Sequence, residues 1–232
     1  MIDFHSHVLP GIDDGARSTD DSIALLRMMS EQGVDHLALT PHFYAHRSSP
    51  ESFLQKRAAS YDKLRSEFSS PLPEIRLGAE VLYYPGISRM EQLGQLCLCG
   101  TKLLLLEMPM IPWRDAMVSE VLEIQSVRGV SVVLAHIERY EAFKQDDVLD
   151  VLLESGVMLQ TNAESLLAFR TRKRVLNMLQ QGAISFIGSD CHNTVSRPPL
   201  MREAWEYLRK KAGGQFLQMF EEQNLSYWEG KL

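Results

Sequence analysis

Six of the seven short apolar runs in this chain end on a histidine, aspartate or glutamate. The first run, residues 1–7, alternates Ile2 and Phe4 with Asp3 and His5. That is a strand pattern, with successive side chains on opposite faces, so His5 and His7 share one face. Later runs cover 34–40, ending at Pro41-His42, 75–80 with Glu80 last, and 102–107 with Glu107 last. The run 130–135 ends at His136, 157–162 ends at Asn162, and 183–189 leads into Asp190-Cys191-His192. Helical patterns fall between the runs. One opens at Ser18 to Asp21 and stops at Gly33; others cover 50–69, 86–96, 116–128, 146–154, 173–181 and 201–212.

Strict alternation of strand and helix predicts a parallel sheet with right-handed crossovers, and parallel sheets carry their chemistry at the C-terminal ends of the strands. An open doubly wound sheet brings only the strands around its switch point near one ligand. A closed sheet lets six strand ends converge. The expected fold is therefore a distorted (β/α)7 barrel, TIM-barrel-like, built as a single domain over residues 1–232, because no linker divides the pattern.

Composition narrows the partners. Net charge is −6 with no basic stripe, which argues against a nucleic-acid backbone. No apolar run reaches ~18 residues and the first basic residue is Arg17, so neither membrane insertion nor a signal peptide is expected, and the expected location is cytoplasmic. Three cysteines, Cys97, Cys99 and Cys191, suit reduced thiols better than a disulfide framework.

The strand ends suit a metal site. Neutral imidazoles hold zinc, manganese or iron, and a carboxylate such as Glu107, closing a run of four leucines, is costly at a buried edge unless paired or metal-bound. His36 and His46 fall outside this pattern and read as exposed or partner-bonded.

These residues resemble the polymerase-and-histidinol-phosphatase (PHP) superfamily of metal-dependent phosphoesterases over essentially the whole chain. The matching motifs are 1–7 with Asp13-Asp14-Gly15, Thr40-Pro41-His42, Gly78-Ala79-Glu80, 135–140, 189–193 and Arg197-Pro198-Pro199. Within the superfamily they look like the bacterial protein-tyrosine phosphatases of capsule and exopolysaccharide loci. The resemblance implies up to three divalent ions, most often manganese, with iron or zinc as the other choices. It implies that His5, His7, Glu107 and Asp190 hold one ion, Glu107 bridging to a second, while His42, Glu80, His136 and His192 complete the remaining positions. The implied partner is a phosphotyrosine protein, the tyrosine-rich tail of a bacterial tyrosine kinase that controls polysaccharide export.

Two metals ~3.5–4 Å apart can orient a hydroxide and stabilise both attacking and leaving oxygens, so no covalent intermediate is needed. Arg139 and Arg197 suit the phosphoryl oxygens, because a guanidinium fork matches phosphate bidentately. Phe43, Tyr44 and Trp113 could flank a phenyl ring or simply pack over the rim. Asp14 is a further candidate for the pocket, and Gln160 and Asn162 for bonds supporting the ligands. Three rivals stay open. Cys191 and Arg197 have the Cys-x5-Arg spacing of cysteine-dependent phosphatases, although 192–196 contains no glycine for a phosphate-binding turn. The same metals could instead serve histidinol phosphate, another small phosphate ester, or a nucleic-acid phosphodiester, which the acidic balance disfavours. A non-catalytic binding module is the third.

Overall fold

The computed structural model describes residues 1–68, 73–126, 129–143 and 147–231. The expected helix ends at Ser69, Arg128 and Asp146 lie outside these residues. Among the described residues there are nine strands, all paired in parallel: β1 (Ile2–Asp3), β2 (His36–Leu39), β3 (His42–Phe43), β4 (Glu74–Leu77), β5 (Glu80–Leu82), β6 (Leu103–Glu107), β7 (Ser131–Leu134), β8 (Met158–Asn162) and β9 (Phe186–Gly188). They form a curled parallel sheet in two hydrogen-bonded sets, β1-β2-β4 and β3-β5-β6-β7-β8-β9. The helices are α1 (Thr19–Gln32), α2 (Pro50–Glu67), α3 (Asp115–Ser126), α4 (Val148–Glu154), α5 (Ala163–Leu167), α6 (Arg172–Gln180), α7 (Met201–Ala212) and α8 (Gly214–Trp228).

Seven expected strands become nine because two of them break. The run 34–40 stops before Pro41, which has no N–H for a ladder, and resumes as β3. The run 75–80 stops at Gly78-Ala79 and resumes at Glu80, so Glu80 begins a strand rather than ending one. The two broken strands stay together: Gly78 N donates to Leu39 O at 2.8 Å and Glu80 N to Pro41 O at 3.1 Å. At the other side of the sheet Phe4 N donates to Ile187 O at 3.3 Å, His7 N to Cys191 O at 3.0 Å, and Ser6 and Cys191 form a parallel bridge.

Both faces of β6 are buried, as its unbroken leucine run requires. Leu104 and Leu106 join the core between sheet and helices, whereas Leu103 and Leu105 meet Ile2, Phe4, Val133 and Phe186 in a second apolar cluster on the concave side. Trp228, from α8, is buried in this second cluster, with its ring 6.0 Å from Phe4 and its Nε1 donating to Glu74 Oε1 at 2.7 Å. The sequence reading ended at the helix 201–212 and missed both α8 and the short α5. Leu217, Phe220, Asn224 and Trp228 are the buried side of α8, and their spacing is helical.

Candidate metal centre

The eight expected strand-end residues meet. His5 Nε2 and His7 Nε2 lie 3.1 Å apart, and Glu80 Oε2 is 3.2 Å from each and 2.9 Å from His42 Nδ1. Asp190 Oδ1 is 3.4 Å from His7 Nε2 and 3.7 Å from His5 Nε2. His136 Nε2 contacts Glu80 Oε1 at 2.9 Å and approaches Glu107 Oε1 at 3.6 Å. Asp14 Oδ1 lies 3.3 Å from His192 Nε2 and 3.4 Å from His42 Nε2. The ligand atoms fall into three groups able to hold a metal ion: His5, His7 and Asp190; His7, Asp14, His42 and His192; and His42, Glu80 and Glu107. Glu80 touches His5, His7, His42 and His136, and Glu107 falls in the group with His42 and Glu80, 3.6 Å from His136.

These side chains fit cations better than they fit one another. His42 Nδ1, Glu80 Oε2 and His192 Nε2 are buried without a hydrogen bond, although His42 Nδ1 and Glu80 Oε2 are 2.9 Å apart. Buried polar atoms left misaligned at contact distance are what a shared metal ion would satisfy. Three of the outward nitrogens are bonded, His5 Nδ1 to Gln160 Oε1 at 3.2 Å, His7 Nδ1 to Asp13 Oδ2 at 2.8 Å and His192 Nδ1 to Asp190 O at 3.0 Å, whereas His136 Nδ1 is buried without a partner. Each such bond orients a ring and leaves Nε2 facing inward.

Charge in this volume is redistributed. Burial, with the neighbouring Glu80 charge adding to it, lifts the Glu107 carboxyl to about 7. For Glu80 burial pushes the same way, but the imidazoles of His5, His136 and His42 outweigh it and hold the carboxyl well below the usual range. Asp190 is held low in the same fashion, burial being outweighed by His5 and His7. Burial, His7 and Arg197 push His192 down to about 4, so its imidazole is neutral and able to ligate.

The backbone is tight here. His136 (φ 33°) and Asp190 (φ 51°) are non-glycine residues in the left-handed region, which costs of order 1–3 kcal/mol each and persists only where surroundings impose it. A Cβ on Gly188 would lie 2.4 Å from His5 Cβ, and one on Gly15 would lie 2.1 Å from His7 O, so the end of β9 and the loop at Gly15 press against the segment carrying His5 and His7.

Arg139 Nη2 and Arg197 Nη2 both reach Asp190 Oδ2, Arg197 at 2.8 Å. Asn162 Nδ2 donates to the same oxygen at 2.8 Å, and Gln160 Oε1 accepts from His136 N at 2.7 Å as well as facing His5, so both sit where supporting bonds were expected. Tyr44 is at the site, stacked 5.1 Å from the His42 ring. Phe43 is not: it is fully buried against Phe53, because its neighbour His42 faces the metal groups and consecutive strand residues point oppositely. Trp113 is buried, packed 5.1 Å from the Tyr140 ring, which itself lies 5.5 Å from the His136 ring. Cys191 is buried and its thiol is pushed up to about 12 by burial, so a thiolate nucleophile is not available.

Sequence reasoning missed Asp13, which binds His7 and also accepts from His42 N at 3.0 Å. The Asp13-Asp14 doublet before Gly15 was the available signal. It also missed Glu138, whose carboxylate accepts from Thr161 Oγ1 at 2.8 Å and Asn162 N at 3.2 Å.

Comparison with known proteins points the same way. The family model described as capsular polysaccharide synthesis, CpsB/CapC, matches residues 1–227. The tyrosine-protein phosphatase CpsB of Streptococcus agalactiae serotype V is 30% identical over 225 residues, 92% of this chain and 91% of its own. The tyrosine-protein phosphatase YwqE of Bacillus subtilis is 28% identical over 231 residues, 96% of this chain and 89% of its own. A solved structure from a study of YwqE from Bacillus subtilis and CpsB from Streptococcus pneumoniae, described as metal-dependent tyrosine phosphatases, matches with a TM-score of 0.82 at 26% identity, covering 99% of this chain and 95% of that one. A histidinol phosphate phosphatase from Lactococcus lactis shares the fold, with a TM-score of 0.57 at 14% identity, covering 91% of this chain and 93% of that one.

Proposed function

The chain belongs to the CpsB/CapC family of capsular polysaccharide synthesis, and we propose that it is a metal-dependent protein-tyrosine phosphatase that hydrolyses phosphotyrosine without a covalent enzyme intermediate. The observation that carries this reading is the convergence of five histidines and three carboxylates, His5, His7, His42, His136, His192, Glu80, Glu107 and Asp190, beside two arginines on one Asp190 oxygen.

His5, His7 and Asp190 would hold one ion and His42, Glu80 and Glu107 another, with His136 beside Glu80 and with Asp14 and His192 completing the remaining positions. Bound divalent ions supply Lewis acidity and an activated water near neutral pH; manganese is our first choice, then iron or zinc. Arg139 and Arg197 bind the non-bridging phosphoryl oxygens, exchanging Asp190 Oδ2 for substrate. Asn162 and Gln160 keep Asp190 and His5 in place during that exchange. The leaving group asks little of the protein, because a tyrosine phenol has an ordinary pKa of about 10 and departs without a strong acid.

The finer expectations follow from the same features. The bonds from Phe4 and His7 to the β9 segment support a distorted (β/α)7 barrel, and the continuous alternation supports one domain. The natural substrate we propose is the tyrosine-rich tail of a bacterial tyrosine kinase acting in polysaccharide export. Three unpaired cysteines support a reducing, cytoplasmic setting.

The test is hydrolysis of a phosphotyrosine peptide before chelation, after chelation and after manganese is restored, with histidinol phosphate run in parallel. Loss and recovery of peptide turnover is expected. Turnover that survives confirmed metal removal overturns the hydrolytic metal site, and preference for histidinol phosphate moves the substrate to small esters.

A further inference from the structure

A cleft of about 650 Å³ opens directly off the metal groups, lined by Asp13, Asp14 and His42 together with Tyr44, Arg47 and Lys56. Lys56 belongs to α2, whose N-cap is Ser49. Among the described residues neither Arg47 nor Lys56 is in a salt bridge; Arg47 lies over the Tyr44 ring, 4.7 Å from its centroid. In a chain of net charge −6, two basic side chains without acidic partners beside a cluster of carboxylates form a local reversal of sign. They are also separate from Arg139 and Arg197, which are engaged with Asp190 and line a different cavity of about 120 Å³.

The cleft therefore brings two cations next to the metal groups. A phosphoryl group drawn to those groups places the neighbouring residues of a bound peptide in the same cleft as Arg47 and Lys56. We propose that Arg47 and Lys56 are specificity-determining residues that select phosphotyrosine peptides carrying Asp or Glu beside the phosphotyrosine, an inference that rests on the phosphatase reading above. Complementary charge at the rim of an interface discriminates partners more than it adds affinity, and it is screened by salt.

The experiment compares kcat/KM of the metal-loaded protein on two phosphotyrosine peptides of equal length, one flanked by Glu on both sides and one by Gln, with p-nitrophenyl phosphate as a substrate lacking any flank. The Glu peptide is expected to be favoured about tenfold at low salt, the sum of two modest charge pairs, with the advantage shrinking as salt is raised. The double variant R47Q/K56Q is expected to bring the ratio to about one, and R47K/K56R to keep it, since the charge and not the fork is what is read. An equal rate on both peptides for the wild type overturns the proposal. So does a double variant that retains the preference, or one that loses the same factor on both peptides, which would make these residues phosphoryl ligands instead. Turnover of p-nitrophenyl phosphate with neither peptide cleaved overturns the phosphotyrosine reading itself, and this inference with it.

Discussion

Arg197 and Asp190 are joined by a 2.8 Å contact from Nη2 to Oδ2, and that oxygen also takes Arg139 and the Asn162 amide. A carboxylate oxygen holding three donors keeps two guanidinium groups aimed at the place where a phosphoryl group would arrive. Replacing Arg197 by Ala is expected to lower kcat/KM on a phosphotyrosine peptide by about 10²–10³-fold, the usual loss for a preorganised donor to a developing charge. Arg197→Lys should recover little, because an ammonium cannot reproduce the fork. Steady-state kinetics with elemental analysis checks this; a loss explained by lost metal would contradict the assigned role.

Cys191 offers a contrasting outcome. Cys191→Ser, or alkylation at neutral pH, is expected to leave most turnover intact, because the thiol is buried and held protonated up to about 12. Inactivation with metal content unchanged would bring back the thiolate route.

Metal affinity should depend on pH in a defined direction. The Glu107 carboxyl, raised to about 7, is protonated below that value, and a ligand must be a carboxylate to bind. Apparent affinity is expected to fall about tenfold per pH unit below 7 for each proton displaced. The raised imidazoles of His5 and His7, where burial is outweighed by nearby carboxylates, act in the same direction. Metal titrations at pH 6, 7 and 8 measure the slope, and an affinity independent of pH would contradict it.

Glu138 reaches the site through Asn162. Glu138→Ala removes the acceptor for Thr161 Oγ1 and the Asn162 N–H, leaving buried donors unsatisfied, and is expected to cost about 1–3 kcal/mol of stability. Urea unfolding of the metal-free protein reads this directly.

Gly188→Ala places a Cβ 2.4 Å from that of His5 and should displace the first histidine of the site. The expected result is a protein that folds but retains less metal after dialysis. Full metal content would mean that β9 can shift without moving His5.

The polar strand ends were legible because a histidine or carboxylate closing an apolar run has few bland explanations. His5, His7, Glu107 and His136 are such cases. Direction was less legible. Phe43 follows a strand end as a pocket residue would, yet alternation with His42 points it into the core. Strand breaks were hidden because Pro41 and Gly78-Ala79 interrupt the ladder without interrupting the direction of the chain. Asp13 was obscured by its neighbour Asp14: only the fold turns one towards His7 and leaves the other 65% exposed beside His42 and His192. Arg47 and Lys56 could not be paired from sequence, since what joins them is a cleft and not a motif.

The bridge between Ser6 and Cys191 also sets a timetable. His5 and His7 follow the first strand, whereas Asp190 and His192 follow the last. During synthesis the ribosome must deliver more than four-fifths of the chain before any group of ligands containing Asp190 or His192 can close. A pairing of such long sequence separation forms late and slowly. Groups containing Asp190 or His192 are thus the last to close, whereas His42, Glu80 and Glu107 all come from the first half of the chain.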